Sequence, residues 1–319
     1  MTANLTSTPT VMVRLATSAD AYSMWDLTRR SFSARRRLDP PASALADTVA
    51  DVEQALNPPN FGVVAQCDEQ LVGSLLVRLD DALPGRVATL RRVGVAPGHR
   101  RLGVADALVR ATLRALADSG VGRARLTARA ELPATIDWWR RKGFMIDYEV
   151  PHGYVMSANL PTPLMATTAD QMRQLGARLA GYLRAGDLII ASGDLGAGKT
   201  VLAQGIGEGL QVGGPVISPT FVLARLHPAE PGPGLVHVDA YRLSSAAELE
   251  DLDVSSSLPN AVTYVEWGAG LAEGLADERL EVHIERGGDD VRTVYLTPVG
   301  RRWREVEWAG LEAFNDSRN

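Results

Sequence analysis

The sequence of 319 residues contains little lysine, little cysteine and no long apolar run. Only two of its 33 basic residues are lysines, Lys142 and Lys199. The single cysteine, Cys67, excludes an internal disulfide and a thiolate zinc cluster, and its apolar neighbours predict a buried structural thiol. No stretch approaches the about 18 apolar residues that a membrane span needs, and Met1–Thr10 shows no signal-like pattern. We therefore expect a cytoplasmic protein that does not enter a membrane.

Charge is divided unevenly along the chain. Residues 1–160 carry 20 basic and 16 acidic residues, whereas residues 161–319 carry 13 and 22. Together with the length, this division favours two separate modules. The acidic second half lacks the clustered cations that contacts with nucleic acid phosphates need. We therefore expect any RNA to be reached through protein partners.

The hydrophobic pattern of the first half predicts a mixed α/β domain with antiparallel strands. Three apolar runs separated by polar breaks are predicted to be consecutive strands: Phe61–Cys67, Leu71–Leu79 and Val87–Val95. Two prolines within 159–163 interrupt the pattern, because proline lacks a backbone donor and biases its predecessor to extended geometry. We therefore place a linker there and predict domains at 1–159 and 160–319.

The pattern of the second half predicts an α/β domain with a largely parallel core sheet. Thr168 is expected to cap a helix whose apolar residues recur at helical spacing: Met172, Leu175, Leu179 and Leu183. Gly186 is expected to end this segment before the apolar strand Leu188–Ala191.

A candidate phosphate-binding loop follows that strand directly. It matches G-x-x-x-x-G-K-[ST] and reads Gly193-Asp194-Leu195-Gly196-Ala197-Gly198-Lys199-Thr200, before a predicted helix at Val201–Leu210. Gly193, Gly196 and Gly198 allow backbone N–H groups to converge on phosphate oxygens. Lys199 would reach the outer phosphates, and Thr200 would offer a hydroxyl to Mg²⁺. ATP is favoured over GTP, because the chain has no Asn-Lys-x-Asp element.

Two further apolar strands end in an acidic residue, at Leu235–Asp239 and Val262–Glu266. In P-loop proteins a carboxylate near Mg²⁺ often stands at the end of a strand beside the loop. For either strand alone, the other interpretation is a solvated carboxylate at a strand end. Together with the loop, the pattern favours contact of Asp239 and Glu266 with Mg²⁺.

The second half resembles the TsaE family in the order and spacing of four segments. They are the loop at 193–200, Ser218-Pro219-Thr220-Phe221, His237-Val238-Asp239-Ala240-Tyr241-Arg242-Leu243 and Val265-Glu266-Trp267. The resemblance covers roughly Ala166 to Glu285. TsaE proteins are ATPases that support formation of threonylcarbamoyladenosine in tRNA, working with TsaB and TsaD proteins. The resemblance therefore implies a P-loop fold, ATP, Mg²⁺ and TsaB/TsaD-like partners, with tRNA reached indirectly.

The same resemblance implies roles for individual residues. Lys199 would serve the phosphates catalytically, and Asp239 and Glu266 would serve the metal or the attacking water. Thr220 would lie in a catalytic switch segment, and Trp267 would border the nucleotide. The alternatives are a simple turn around Thr220 and a core aromatic at Trp267. We interpret His237, which the same motif includes, as a satisfied strand residue without a catalytic role.

The first half resembles the Gcn-related N-acetyltransferase (GNAT) superfamily. The segment Val93-Gly94-Val95-Ala96-Pro97-Gly98-His99-Arg100-Arg101-Leu102-Gly103-Val104-Ala105 runs from a strand through a turn into a predicted helix. That helix is predicted to be amphipathic, with four apolar residues on one face: Val104, Leu108, Ala111 and Ala115. A second segment, Trp138 to Phe144, resembles the family's later aromatic-x-x-x-Gly-Phe element.

This second resemblance implies a site for acetyl-CoA and an amine acceptor whose identity the sequence does not give. The implied acetyl-CoA residues are Val93, Val95, Arg100, Arg101, Gly103 and Ala105. Trp139 stands where the family often has a tyrosine acid, and indole does not protonate a leaving thiolate. Tyr148 and Tyr154 are alternative acids and Glu131 is a candidate base, although a surface or packing role fits each as well. Arg35–Arg37 is interpreted as a solvated charge run.

We thus predict a bifunctional fusion of a GNAT-like acetyltransferase and a TsaE-like ATPase. One alternative is a small-molecule P-loop kinase, which would transfer phosphoryl to a bound acceptor. Another is a non-catalytic scaffold whose first domain is a degenerate acetyltransferase that binds coenzyme A or a partner protein.

Overall fold

A seven-stranded mixed sheet forms the centre of the first half of the chain. The computed structural model describes residues 11–80, 86–219, 222–288, 290–308 and 310–311. In chain order, the elements are β1 (Met12–Leu15), α1 (Ala21–Ser33), α2 (Val49–Ala55), β2 (Phe61–Cys67), β3 (Gln70–Asp80), β4 (Val87–Val95), α3 (Val104–Asp118), β5 (Arg123–Arg129), α4 (Pro133–Arg141), β6 (Met145–Val150) and β7 (Gly153–Asn159). The strand order is β1-β2-β3-β4-β5-β7-β6.

Four of the strand pairings in this sheet are antiparallel and one is parallel. The pairs β1–β2, β2–β3, β3–β4 and β5–β7 are antiparallel, and β4–β5 is parallel. The three strands predicted from the sequence correspond to β2, β3 and β4 within one residue at each end. Cys67 is buried at the end of β2, as predicted.

Helices α1 and α3 cover opposite faces of this sheet. A Cβ placed on Gly94 would lie 2.7 Å from the Ser31 hydroxyl of α1, and one on Gly73 would lie 2.9 Å from a Val104 methyl of α3. Gly94 pairs with Ser74, so Gly73 faces the other way. Of the four residues predicted to share one face of α3, Val104 and Leu108 are buried, Ala111 is half-buried and Ala115 is exposed. The buried face instead runs through Val104, Leu108, Val109, Thr112, Leu113, Leu116 and Ala117.

A second seven-stranded sheet organises the remainder of the described chain. Its elements are β8 (Thr162–Ala166), α5 (Ala169–Ala180), β9 (Leu188–Gly193), α6 (Lys199–Gly209), β10 (Ala224–His227), β11 (Gly234–Asp239), α7 (Ala246–Glu250), α8 (Val254–Ser257), β12 (Ala261–Glu266), β13 (Arg279–Arg286), β14 (Arg292–Val299) and α9 (Arg301–Arg304). The strand order is β10-β11-β12-β9-β13-β14-β8. Strands β11, β12, β9 and β13 are parallel, and the outer strands β10, β14 and β8 pair antiparallel.

The centre of this second sheet is parallel, as the fold class predicted, and it is covered on both faces. Every residue of β11 and β12 is buried, which is typical of parallel strands between two layers. One apolar cluster joins the sheet to α5 and α6, and another joins it to α7 and α8. Because β11 and β12 also carry His237, Asp239 and Glu266, these polar side chains are buried with the strands.

The segment predicted as a linker contains the start of a strand. β7 ends at Asn159 and β8 begins at Thr162, so Pro163 lies inside β8. β8 is an edge strand, where a missing backbone donor is tolerated. By contacts, the chain divides into Met1–Ile136 with Ile146–Leu160, and Asp137–Met145 with Pro161–Asn319. Whether 1–159 and 160–319 fold as domains stays a prediction.

Thr168 caps α5 as predicted, its hydroxyl accepting from the Gln171 amide at 3.1 Å. The helix ends at Ala180, however, so Leu183 lies beyond it.

Candidate functional site

The loop between β9 and α6 has the backbone of a phosphate-binding turn. Gly193 and Gly198 have φ angles of 139° and 107°, which favour glycine. A Cβ on Gly193 would also collide with the carbonyl oxygen of Ile284. Gly196 has a φ of 75° and stands in open space. The loop passes directly into α6, whose first residue is Lys199, so the N-terminal amides of the helix point towards the loop.

Lys199 is buried, with 4% of its surface exposed. Its ammonium donates to the carbonyl oxygens of Gly193 at 2.8 Å and Asp194 at 2.9 Å. The same ammonium lies 3.7 Å from the centroid of the Trp267 ring, a cation–π contact. Burial lowers the pKa of Lys199, and nearby carboxylates, Glu266 first among them, oppose that shift.

Asp239 and Glu266 stand side by side at the ends of β11 and β12, where they are register partners. Their exposed fractions are 5% and 4%. The Thr200 hydroxyl donates to Oε1 of Glu266 at 2.8 Å, which joins the phosphate-binding loop to the end of β12. Asp239 accepts from the Tyr241 amide at 3.1 Å and from the Ser218 hydroxyl at 3.3 Å.

The chemistry of these donors suits Mg²⁺. Thr200, Asp239 and Glu266 offer a hydroxyl and carboxylate oxygens, the ligand type that this hard cation prefers. Among the described residues, no group of three or more His, Cys, Asp or Glu side chains could hold a metal by itself. A Mg²⁺ site beside a nucleotide does not need such a group, because the ion is bound by one or two carboxylates together with phosphates and water.

Two other predicted residues of this site have different outcomes. Trp267 follows β12 with a φ of 60°, and its amide donates to the Ala191 carbonyl of β9 at 2.9 Å. This bond holds the indole beside the phosphate-binding loop. The indole also contacts the Tyr241 ring, with the ring centroids 5.1 Å apart. Thr220 lies outside the described residues.

His237 is not the satisfied strand residue that the sequence suggested. Its ring is fully buried on β11, and Nε2 lies 2.8 Å from Oε1 of Glu266. Nδ1 has no hydrogen-bond partner among the described residues. The signal that could have found this contact is the parallel register, which sets His237 beside Tyr264, two residues before Glu266.

Tyr264 is another residue that sequence reasoning missed. Its hydroxyl donates to the carbonyl of Lys199 at 2.8 Å from a fully buried position. Burial raises the pKa of Tyr264 well above its ordinary value, so the phenol stays protonated and remains a donor. It therefore ties β12 to the first turn of α6.

In the first half, β4 and β5 separate after a short parallel pairing. They pair at Val87–Thr89 and Arg123–Arg125. On the opposite edge of β4, the Ala96 amide donates to the carbonyl of Val72 in β3. Backbone groups alternate along a strand, so those of Val93 and Val95 face the side where β5 has diverged. This opening is the candidate cleft for the pantetheine arm of acetyl-CoA.

The predicted pyrophosphate turn leads from β4 into α3. Gly103 precedes the helix with a φ of 74° and open space around it, and Ala105 is half-buried in the first turn. Arg101 is exposed. Arg100 is also exposed at residue level, and its guanidinium donates to the Ser31 carbonyl at the end of α1 at 2.8 Å.

Arg35 departs from the predicted solvated charge run. Its guanidinium lies 3.9 Å from the Phe32 ring centroid and donates to the Val93 carbonyl at 3.1 Å. Burial and the charge of Arg100 lower the pKa of Arg35. Arg36 and Arg37, by contrast, are exposed, as expected.

The residues considered for proton transfer lie in unequal settings. Trp139 is 5% exposed and makes edge contacts with Trp138 and Phe144, so it packs the core. Glu131 forms a two-point ion pair with Arg129, which lowers the pKa of Glu131 to about 2 and makes it a weak base. Tyr148 is 56% exposed.

Each half of the chain is similar to a known family. Residues 166–294 match the family Threonylcarbamoyl adenosine biosynthesis protein TsaE. A TsaE protein of Streptomyces coelicolor is 56% identical over 142 residues, which are 43% of this chain and 96% of the relative. The chain belongs to the TsaE family. A TsaE protein of Bacillus subtilis is 36% identical over 135 residues, which are 42% of this chain and 84% of the relative.

The first half of the chain lies outside the TsaE match and is similar to a different family. Residues 21–144 match the Acetyltransferase (GNAT) family, so the chain carries a region similar to that family before its TsaE region. A solved structure of the PaiA N-acetyltransferase of Thermoplasma acidophilum with coenzyme A aligns with 46% of this chain and 98% of its own, at 13% identity and a TM-score of 0.41. Within the described residues, no helix is both long and apolar enough to cross a membrane.

Proposed function

We propose that this chain is a bifunctional cytoplasmic protein. Its TsaE region would be a Mg²⁺-dependent ATPase that supports threonylcarbamoyladenosine formation in tRNA, with TsaB- and TsaD-like partners. Its GNAT region would transfer an acetyl group from acetyl-CoA to an amine. The family membership supports the first activity and the GNAT match supports the second.

One observation carries the ATPase proposal. The Thr200 hydroxyl and the Glu266 carboxylate are joined at 2.8 Å, although they are 66 residues apart in sequence. This brings the phosphate-binding loop against the acid ends of two neighbouring strands. A P-loop needs this arrangement, because the hydroxyl that binds the metal and the carboxylate that assists it must share one place.

The residues of the site suggest how ATP would be held and cleaved. The loop amides and the α6 N-terminus would bind the β- and γ-phosphates, and Lys199 would exchange the carbonyls of Gly193 and Asp194 for phosphate oxygens. Thr200, Asp239 and Glu266 would hold Mg²⁺, which neutralises charge on the phosphates. A carboxylate oxygen not used for the metal would orient the attacking water. Thr220 would belong to the segment that responds to the γ-phosphate.

ATP turnover in this proposal resets a complex, because a segment that contacts the γ-phosphate is released on hydrolysis. The net acidic composition of residues 161–319 supports an indirect route to tRNA through the partner proteins.

For acetyl transfer, the edge of β4 at Val93 and Val95 would pair with the pantetheine amides, which would exchange for Arg35 at the Val93 carbonyl. Arg100, Arg101, Gly103 and Ala105 would surround the pyrophosphate at the start of α3. The acceptor nitrogen would attack the thioester carbonyl, and the carbon–sulfur bond would break. The proton lost by the amine would end on the departing sulfur, so coenzyme A would leave as a thiol. Trp139 cannot donate that proton.

Complementation tests the ATPase proposal. A bacterium depleted of its own TsaE would express the full chain, Lys199→Ala or Lys142→Ala, and tRNA nucleosides would be quantified by mass spectrometry. We expect the full chain and Lys142→Ala to restore threonylcarbamoyladenosine and Lys199→Ala to fail. Lys142 is the matched control because it is the only other lysine in the sequence. Restoration by Lys199→Ala would favour a scaffold, and no restoration by the expressed full chain would remove the assignment.

Calorimetric titration with acetyl-CoA tests the acetyltransferase proposal. We expect saturable binding to the full chain and weaker binding to a double variant, Arg100→Ala with Arg101→Ala. Arg110→Ala is the control, because Arg110 is exposed within α3, away from the turn. Absence of saturable binding would reject an acyl-CoA site. Equal binding by all variants would reject the assignment of the turn.

A further inference from the structure

Glu266 has two side-chain partners among the described residues, and both reach the same oxygen. Thr200 donates to Oε1 at 2.8 Å, and His237 Nε2 lies 2.8 Å from that oxygen. His237 is fully buried, and Glu266 is 4% exposed. This carboxylate oxygen is therefore held both from the loop and from β11.

The partner atoms assign the tautomer of His237. An ionised Glu266 can only accept hydrogen bonds, so the proton of a neutral His237 ring lies on Nε2. That leaves Nδ1 as an acceptor, and it has no donor within the described residues. A buried acceptor without a partner costs stability. An apolar side chain would fill this position on β11 without that cost, so packing alone does not explain a histidine here.

Metal binding would change the balance between the two partners. In the proposed function, the Thr200 hydroxyl oxygen would also bind Mg²⁺ through a lone pair, so Thr200 would be shared between the metal and Glu266. His237 would then be the side-chain partner of the carboxylate that does not itself bind the metal. Its ring is fixed by burial and by an edge contact with Tyr264, with ring centroids 5.7 Å apart.

We propose that His237 is a positioning residue that donates from Nε2 to Glu266 and fixes this carboxylate for Mg²⁺. This inference rests on the proposed ATP site and adds a residue to it. Partners behind metal-binding side chains orient those side chains, and their removal typically weakens metal affinity about 10- to 100-fold. In this role His237 contacts Glu266 and does not itself bind the metal.

The test compares nucleotide binding with and without metal in the full chain. Calorimetry would measure the Kd of a non-hydrolysable ATP analogue in Mg²⁺ and in EDTA. The ratio of the two Kd values reports the metal contribution. We expect His237→Leu to reduce this ratio about 10- to 100-fold while Kd in EDTA stays near that of the wild type. His237→Gln should retain most of the ratio, because its amide nitrogen can occupy the Nε2 position.

A second histidine supplies the matched control. His227 is buried in the adjacent strand β10, and its Nε2 has no partner among the described residues. His227→Leu should leave the metal contribution unchanged. Thermal unfolding of each variant would establish that it is folded. If His237→Leu is not folded, His237→Asn replaces it, because the asparagine amide is too short to reach Glu266.

The outcomes separate this inference from the proposed function. An unchanged ratio in His237→Leu, or an equal loss in the glutamine and leucine variants, would overturn the positioning role while leaving ATP binding intact. A wild-type chain that binds no nucleotide would reject the ATP site and this inference together. Restoration of tRNA modification is measured separately and does not enter this comparison.

Discussion

Lys199 and Trp267 are in direct contact, with the ammonium 3.7 Å from the centroid of the indole. They come from different parts of the chain, the first turn of α6 and the end of β12. The ammonium also donates to two carbonyls of its own loop. Lys199 thus has partners that phosphate oxygens would have to replace, and Trp267 is placed to respond to that exchange.

The first prediction concerns the fluorescence of Trp267. Adding ATP with Mg²⁺ should change the emission of the chain, because movement of an ammonium near an indole alters the field at the ring. Trp267→Phe should abolish most of this change. Trp308→Phe should retain it, because Trp308 is buried against Trp303 in the core. A full response in Trp267→Phe would show that another tryptophan reports binding.

The second prediction is that arginine cannot replace Lys199. The compact ammonium fits between two carbonyls and a ring, whereas a planar guanidinium presents its donors differently. Loss of a charged hydrogen bond of about 1.5 to 3 kcal/mol corresponds to about 10- to 150-fold weaker binding. Calorimetry with an ATP analogue should find this loss for Lys199→Arg and none for Lys142→Arg. Comparable affinities for both would contradict the geometric argument.

The sequence predicted the parts of the site that local pattern encodes. Glycine spacing and the following lysine indicated the loop at 193–200, and two apolar runs ending in acid indicated β11 and β12. The fold class followed from the same apolar runs. These features depend on backbone geometry and burial within single elements.

Contacts between elements were less accessible to sequence reasoning. His237 was interpreted as a strand residue because nothing local shows that its ring reaches Glu266 on the next strand. Arg35 looked solvated within its arginine run, yet it reaches the Val93 carbonyl 58 residues away. Side-chain pairing across a sheet depends on register, which a single sequence specifies only through the whole fold.

The third prediction concerns the close packing of α5 and α6. A Cβ on Gly205 would collide with the carbonyl oxygen of Arg173, and one on Gly209 would lie 2.5 Å from the carbonyl oxygen of Ala177. Gly205→Ala should therefore separate the helices and lower the free energy of unfolding by about 1 to 3 kcal/mol or more. Gly274→Ala is the control, because a Cβ there meets nothing within 4 Å. Equal unfolding midpoints in a denaturant titration would show that the helices accommodate the methyl group.

The fourth prediction is a pH dependence that arises from Glu131. Its two hydrogen bonds with Arg129, at 2.6 and 3.1 Å, lower the pKa of Glu131 to about 2 from an ordinary value of 4.5. A lowered pKa in the folded state contributes stability above pH 4.5, and this contribution is lost as the pH falls towards 2. Glu131→Gln should thus unfold more easily than the wild type at pH 7, and the difference should shrink below pH 4.5.

Glu149→Gln is the control for that series, because Glu149 is exposed on β6 and forms no ion pair in the part of the chain that the structure describes. Unfolding midpoints of the three proteins from pH 3 to 7 provide the measurement. A constant gap between wild type and Glu131→Gln across this range would mean that proton binding to Glu131 is not linked to folding.

The same low pKa has a consequence for acetyl transfer. A carboxylate that strongly prefers its ionised form accepts a proton from an amine with little driving force, so Glu131→Gln should leave any acetyltransferase rate at pH 7 nearly unchanged.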